Sequence, residues 1–164
     1  AHIRLSNMFK NHSIERNYQL LVWNVPNSQG FVNQPIGRSK FNRKKMSINL
    51  NGKRAVTHWM LLKVFSNIVS LINCKLETGR THQIRVHMSS IGHSLIGDKT
   101  YGGVPKTKKK RTFIEQNIIS QCKTFSRQAL HSKTLSFIHP ISKEKMHFDS
   151  ELPNDMNDLI NSIK

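Results

Sequence analysis

Between Glu77 and Gly103 the chain reads ETGRTHQIRVHMSSIGHSLIGDKTYGG, which packs two arginines, three histidines and one aspartate into one short run. Three kinds of chemistry use such a set: metal binding, anion binding, and a polar network that serves the fold. Metal binding fits worst. His82 and His87 are five apart rather than four, no acid lies beside them, and the His-Glu-x-x-His pattern does not occur. Capping and packing suit these histidines better. Anion binding draws on a different feature. TGRTHQ leads into a helix start, where free backbone N–H groups and the helix dipole favour negative charge. Arg80 lies at that start and Arg85 follows inside the helix. Spacing alone leaves open whether the two arginines hold a phosphate or carboxylate, or form a surface pair.

The charge balance narrows the partner. The chain has 164 residues, with 26 Lys and Arg against 9 Asp and Glu, a formal charge of +17. Such an excess points to a polyanion, because each phosphate contact releases counterions. The cations cluster in RSKFNRKK, which holds Arg38, Lys40, Arg43, Lys44 and Lys45, and in KTKKKR, which holds Lys108, Lys109 and Lys110. These are the candidate nucleic-acid contacts. Phe41, set among the first group, is placed either to stack on a base or to pack. Tyr18 opens a strand, where a tyrosine is usually core but can also stack on an unpaired base. No helix-turn-helix, Gly-x-Ser-x-Gly elbow or phosphate loop occurs. Cys74 and Cys122 have no finger-type partners, which argues against zinc and against a disulfide. No apolar run approaches the roughly 18 residues of a membrane span. No secretory segment is visible in AHIRLSNMFKNH, so the cytoplasm is the expected compartment and no membrane partner is expected.

The elements that must position these residues can be read in outline. Residues 2–11 show helical spacing. YQLLVWNV reads as a buried strand and PNSQG as a turn. FVNQPIGRSKFNRKK reads as a basic loop with short extended pieces. Met46, Ile48 and Leu50 alternate as in a strand, and Asn51-Gly52 predicts a hairpin turn. AVTHWMLLKVF and IVSLINCKL follow as strands joined at Ser66-Asn67. Ile84, Met88 and Ile91 mark one helix face, with Thr81 able to cap its start and Gly92 its end. VPKTKKKRT is a basic surface loop, and FIEQNIISQCKTF a short helix or irregular connector. LHSKTLSFIHPISKEKMHFD reads as a hairpin. Pro153 can start a last helix with Met156, Leu159, Ile160 and Ile163 on one face. The order predicts a single α+β domain over 1–164, with a mixed, mostly antiparallel sheet and flanking short helices.

These residues resemble a known family. LETGRTHQIRVHMSSIGHSLIGDKTYGG is similar to the signature of RluA/RluD-type pseudouridine synthases. IERNYQLLVWNV, QPIGRSK, GKRAVTHWMLLK and RQALHSKTLSFIHPISKEKMHFDSELPNDM fit around it in family order. The likeness covers nearly the whole chain and is loosest at 104–124. It implies isomerisation of uridine to pseudouridine in ribosomal RNA, on a largely antiparallel sheet with an RNA cleft, without cofactor or metal. In that chemistry the uracil N-glycosidic bond breaks, the base turns, and carbon 5 joins the sugar. By resemblance Tyr18 stacks against the base and takes the carbon 5 proton, and Arg85 pairs with the nucleophilic aspartate. Arg80 and His82 shape the helix start and the RNA-facing wall.

One departure stands out. The family's His-Arg-Leu-Asp segment does not occur in residues 1–164, and Asp98 belongs to the family's own GD..YG segment. The expectation is therefore that Arg85 reaches toward a carboxylate outside these residues. On this reading the chain is the C-terminal part of a catalytic domain, without the S4-like RNA-binding domain, and inactive by itself. The alternative expectation is a non-catalytic RNA-binding remnant or the product of a truncated gene.

Overall fold

The structure is a computed structural model that describes residues 14–106 and 110–164 together with Arg4 and Met8. The helix expected over 2–11 lies outside the described residues except at Arg4 and Met8, which are helical. The described elements are β1 (Glu15–Trp23), β2 (Gln29–Asn33), β3 (Ile36–Arg38), β4 (Met46–Ile48), β5 (Val56–Phe65) and β6 (Val69–Leu76). They continue with α1 (Gln83–Ser90), α2 (Phe113–Thr124), β7 (Leu130–Ile138), β8 (Lys145–Asp149) and α3 (Asn154–Ser162). Six strands form one sheet in the order β2-β5-β6-β1-β7-β8, and β3 pairs with β4 in a small second sheet. Every pairing is antiparallel. The fold is thus α+β, as the pattern of elements predicts.

β1 explains why LLVW is an unbroken apolar run. Side chains alternate across a strand, so a strand covered on both faces needs apolar residues at every position. Leu20 and Val22 pack with Ile72, Cys74, Ile84, Met88 and Leu95, on the face that α1 covers. Leu21 and Trp23 pack with Ile118, Ile119, Cys122, Met156, Leu159 and Ile160, on the face that α2 and α3 cover. The two cysteines therefore lie on opposite faces. Both are buried and free, and burial pushes each thiol up to about 12.

One chain reversal corrects a sequence expectation. Asn51-Gly52 does not close a hairpin, because β4 pairs with β3 while β5 pairs with β2 and β6. Gly52 is needed for a different reason. A Cβ there would lie 2.4 Å from the Ile36 carbonyl carbon, so only glycine lets the two backbones pass. The turn expected at Ser66-Asn67 is the tight one, with φ of 44° and 57° and the Ile68 amide bonded to Phe65 O at 3.0 Å. Two successive left-handed residues make this a type I′ turn, the form that suits strand twist. The short extended pieces expected in the basic stretch are β3 and most of β2, which begins two residues earlier at Gln29.

The helices have clear stops and starts. Thr81 does not cap α1. His82 holds the N-cap position in a left-handed conformation (φ 57°), with no side-chain cap bond. At the other end the Gly92 amide bonds Ser89 O and the His93 amide bonds Met88 O, with Gly92 at φ 85°. That is a Schellman motif, which makes Gly92 the residue that ends the helix. The stretch left open between helix and connector is the helix α2, held by a capping box of Thr112 and Glu115. α3 starts at Pro153 and buries Met156, Leu159 and Ile160, with Ile163 buried just beyond it. Among the described residues no helix is long and apolar enough to cross a membrane.

Candidate functional site

The start of α1 is fixed by a buried chain of hydrogen bonds. His87 is fully buried, and its Nε2–H donates to the Gln34 carbonyl at 2.9 Å. Nδ1 is then the acceptor, taking the proton of the Thr57 hydroxyl at 2.9 Å. Thr57 Oγ1 in turn accepts from Gln83 Nε2 at 3.0 Å, and the second Nε2 proton goes to Val56 O at 2.9 Å. Gln83 Oε1 accepts from the Thr78 hydroxyl at 2.8 Å and from the Arg80 amide at 2.9 Å. Thr78 Oγ1 accepts the Val56 amide at 2.9 Å. Every donor and acceptor of the Gln83 amide is used, which is what a buried polar group requires. Burial lowers the His87 pKa, an effect the Gln34 bond only partly opposes. His87 is thus a neutral strut, with both ring nitrogens committed.

One turn along, Arg85 is already paired within the chain. Its Nε donates to Asp98 Oδ2 at 2.7 Å and its Nη2 to Oδ1 at 2.8 Å. Oδ1 also accepts the Thr100 and Tyr101 amides at 2.9 and 3.1 Å. The Asp98 side chain has no solvent exposure and that of Arg85 only 13%. Burial pushes the carboxyl pKa up, but the Arg85 hydrogen bonds, the two amides and the Arg85 charge outweigh it and hold it below the ordinary value. Within the chain, then, Arg85 faces Asp98, a carboxylate that the sequence reading did not pair with it. The loop explains the pairing. Gly97, at φ 71°, and the turn closed by the Gly102 amide on Asp98 O fold GDKTYGG back against α1.

Tyr101 completes this unit, and the sequence reading did not single it out. Its ring lies 4.8 Å from the Arg85 guanidinium carbon. Its hydroxyl accepts the Met46 amide at 2.8 Å and lies 2.8 Å from His82 Nδ1. Burial first, and then the charge of Arg85, lower the His82 pKa and favour the neutral ring beside the phenol. The available signal was local: an aromatic three residues after an aspartate, between a left-handed glycine and a glycine pair. The aromatic beside Arg85 is thus Tyr101. Tyr18 is half-buried on the sheet face that carries α1. Its hydroxyl has no hydrogen-bond partner among the described residues. A break in register between β1 and β7 falls right at Asn17/Tyr18.

An open cleft lies beside the start of α1. Gly37, Gly52 and Gly79 line it with Arg38, Lys53 and Arg80. Arg80 is anchored by Nε to Arg54 O at 2.9 Å, and Arg38 by Nη1 to Arg43 O at 3.0 Å. Lys40, Arg43 and Lys44 are exposed on the β3–β4 loop above the rim. Lys45 differs from them, since its Nζ turns in to Thr100 O at 2.8 Å. His82 is likewise committed to Tyr101. Lys110 lies elsewhere, in a hollow with Asn67 and Ile68 at the far end of β5 and β6. Ten residues of β5 separate the two places by roughly 30 Å. Lys108 and Lys109 lie outside the described residues. Lys53 and Arg54 joined the site unannounced. Among the described residues no group of three or more His, Cys, Asp or Glu could hold a metal ion.

Residues 1–90 match the RNA pseudouridylate synthase family. The chain is 48% identical over 165 residues to the ribosomal large subunit pseudouridine synthase D of Zymomonas mobilis subsp. mobilis, covering 99% of this chain and 49% of that protein. It is 38% identical over 164 residues to the protein of the same name from Pasteurella multocida, covering 100% and 49%. Two solved human structures share the fold. RNA Pseudouridylate Synthase Domain Containing 4 superposes with a TM-score of 0.74 at 20% identity, covering 98% of this chain and 66% of that one. RNA Pseudouridylate Synthase Domain Containing 1 gives 0.69 at 24%, covering 96% and 69%. The chain belongs to the RNA pseudouridylate synthase family. It spans about half the length of the curated relatives it matches.

Proposed function

We propose that this protein works in the isomerisation of uridine to pseudouridine in ribosomal RNA, with the large subunit as the source of substrate. The observation that carries this reading is the 48% identity, across 99% of the chain, with a ribosomal large subunit pseudouridine synthase. The cleft supports it. Arg38, Lys53 and Arg80 supply cations for phosphates. Tyr18 offers an aromatic face and an uncommitted hydroxyl on the α1 side of the sheet. The register break beside it is the kind of irregularity that re-aims a side chain. In this reading Tyr18 faces the turned base and takes the carbon 5 proton. Arg85 locks the Asp98–Tyr101 loop through Nε and Nη2. Residues 1–164 hold no His-Arg-Leu-Asp segment, so by themselves they bind RNA without isomerising it.

Two experiments test the proposal. Deleting the gene in its host and mapping pseudouridine across large-subunit RNA is expected to remove a defined modification. The wild-type gene restores it and a Tyr18→Phe gene does so poorly. An unchanged map overturns the reading. Incubating residues 1–164 with uridine-containing ribosomal RNA fragments is expected to yield no pseudouridine, and product would refute the assignment of the nucleophile. In that second case a binding titration still reports RNA affinity that falls steeply with salt.

A further inference from the structure

The β3–β4 loop carries a feature that the isomerisation reading does not use. Phe41 is 101% exposed, so it packs against nothing in this chain. A lone exposed aromatic is common on a protein surface, so what marks Phe41 is its setting among cations on an ordered loop. The loop beneath it is not slack. The Ser39 amide bonds Lys45 O and the Lys45 amide bonds Asn42 O, both at 2.9 Å. Ser39 Oγ accepts the Phe41 and Asn42 amides at 3.3 Å, and Asn42 Oδ1 accepts the Lys44 amide at 3.0 Å. Arg38 Nη1 on Arg43 O and Lys45 Nζ on Thr100 O tie both limbs down. The ring is therefore held outward by an ordered backbone. Its place is also set, because the loop springs from Arg38 and Met46, which pair across β3 and β4 and both line the cleft.

We infer that Phe41 is a stacking residue for an unpaired nucleotide of the RNA at the cleft rim. This rests on the reading of the protein as acting on RNA and adds a specificity determinant to it. Phenylalanine has no hydrogen-bonding group, so it reads the face of a base and not its edge. A face is accessible only where the strand is unstacked. The neighbours decide against a protein partner. Lys40, Arg43 and Lys44 flank Phe41 on the same exposed loop, which makes it an isolated aromatic among cations suited to phosphates and not an apolar patch. The ordered loop lowers the entropy lost when a base docks on it.

The test measures affinity of the full chain for a uridine-rich single-stranded oligoribonucleotide and for its duplex, across a salt series. Phe41→Ala is expected to weaken single-strand binding roughly 5- to 150-fold, the range for losing one base–aromatic stack. Duplex affinity and the salt slope stay unchanged. Phe41→Trp retains affinity and Phe41→Leu does not. Lys40→Ala instead lowers the salt slope by about one. Phe113→Ala removes an aromatic that is 86% exposed on α2, away from the cleft, and is expected to change nothing. Retention of affinity by Phe41→Ala or Phe41→Leu overturns the stacking role, as does an equal loss in Phe113→Ala. Wild-type protein that shows no salt-dependent RNA binding sinks the functional reading and this inference together. Salt-dependent binding with an indifferent Phe41→Ala sinks the inference alone. Because Phe41 makes no packing contact, an unchanged melting temperature is the expected control.

Discussion

Under α1 the sheet buries Thr57, Thr78, Gln83 and His87, with Asp98 and Arg85 beside them. Under α2 and α3 the opposite face buries Leu21, Trp23, Ile118, Ile119, Met156 and Leu159. Both faces bury hydrocarbon, but the α1 face adds this hydrogen-bonded set to its own cluster of Leu20, Val22, Ile72, Ile84, Met88 and Leu95. Hydrocarbon stabilises by area and tolerates small shifts, since the hydrophobic effect has no direction. A hydrogen-bonded set works only when every member is present at the right distance, because an unpaired buried group costs more than a pair contributes. The polar face is the one that supports the cleft, Tyr18 and the start of α1. The difference assigns shape-holding to one face and position-holding to the other.

The largest way to break this comparison is Asp98→Ala. It strands a guanidinium that is only 13% exposed and frees two buried amides. The expected loss is about 3–5 kcal/mol, the cost of removing one partner of a buried pair. Urea denaturation measures it. The double variant Arg85→Met with Asp98→Ala should recover part of the loss, since no charge is left without its partner. On the other face Met156→Ala is expected to cost about 2–5 kcal/mol through lost burial and a cavity. No second substitution on that face should rescue it in the same way. Equal rescue on both faces would remove the distinction.

Acid sharpens the same contrast. His87 is held neutral, with its pKa below the ordinary 6.5, and His82 is shifted in the same direction. As pH falls, the unfolded chain therefore takes up these protons before the folded one. The stability they contribute is complete above about 6.5 and is lost progressively below it. Asp98 has its pKa below the ordinary 3.8, so its contribution persists to lower pH and is lost as pH falls through that region. Stability measured between pH 8 and pH 3 should fall in that order. The increment lost in Met156→Ala should be the same from pH 8 down to about 4, because the side chain removed packs among apolar groups and Asp155, which accepts the Met156 amide, is held below the ordinary 3.8. A pH-independent wild type would contradict the neutral-strut reading of His87.

How much of this was legible depends on how local the cause is. LLVW announced a strand covered on both faces, and Ile84, Met88 and Ile91 announced the buried side of α1. The Arg85–Asp98 pair was not legible, because thirteen residues separate the two and a left-handed Gly97 brings them together. Asn51-Gly52 misled because Gly52 answers a backbone contact with Ile36, which only the tertiary fold creates. Lys45 looked like its neighbours in a charge run, yet its stem reaches Thr100 O. The role of the cleft came from the family resemblance, since spacing alone left Arg80 and Tyr18 open. α2 could have been read more firmly, because Thr-x-x-Glu ahead of an apolar run is itself a helix start.

That start supplies the smallest prediction. Thr112 accepts the Glu115 amide at 3.2 Å, and the Glu115 carboxylate returns to the Thr112 amide at 2.8 Å. Thr112→Ala removes the first bond and leaves an orphan amide in the first turn of α2, with an expected cost of about 1 kcal/mol. α2 buries Ile118, Ile119 and Cys122 against the apolar face. The loss should therefore appear as a uniform drop in stability with no change in the acid profile, and with no change in RNA affinity at the cleft. A change in the acid profile would mean that the two faces are coupled through the sheet, and that the polar side senses how α2 is seated. Both readouts come from one purified variant, so the independence of the faces can be judged on the same sample.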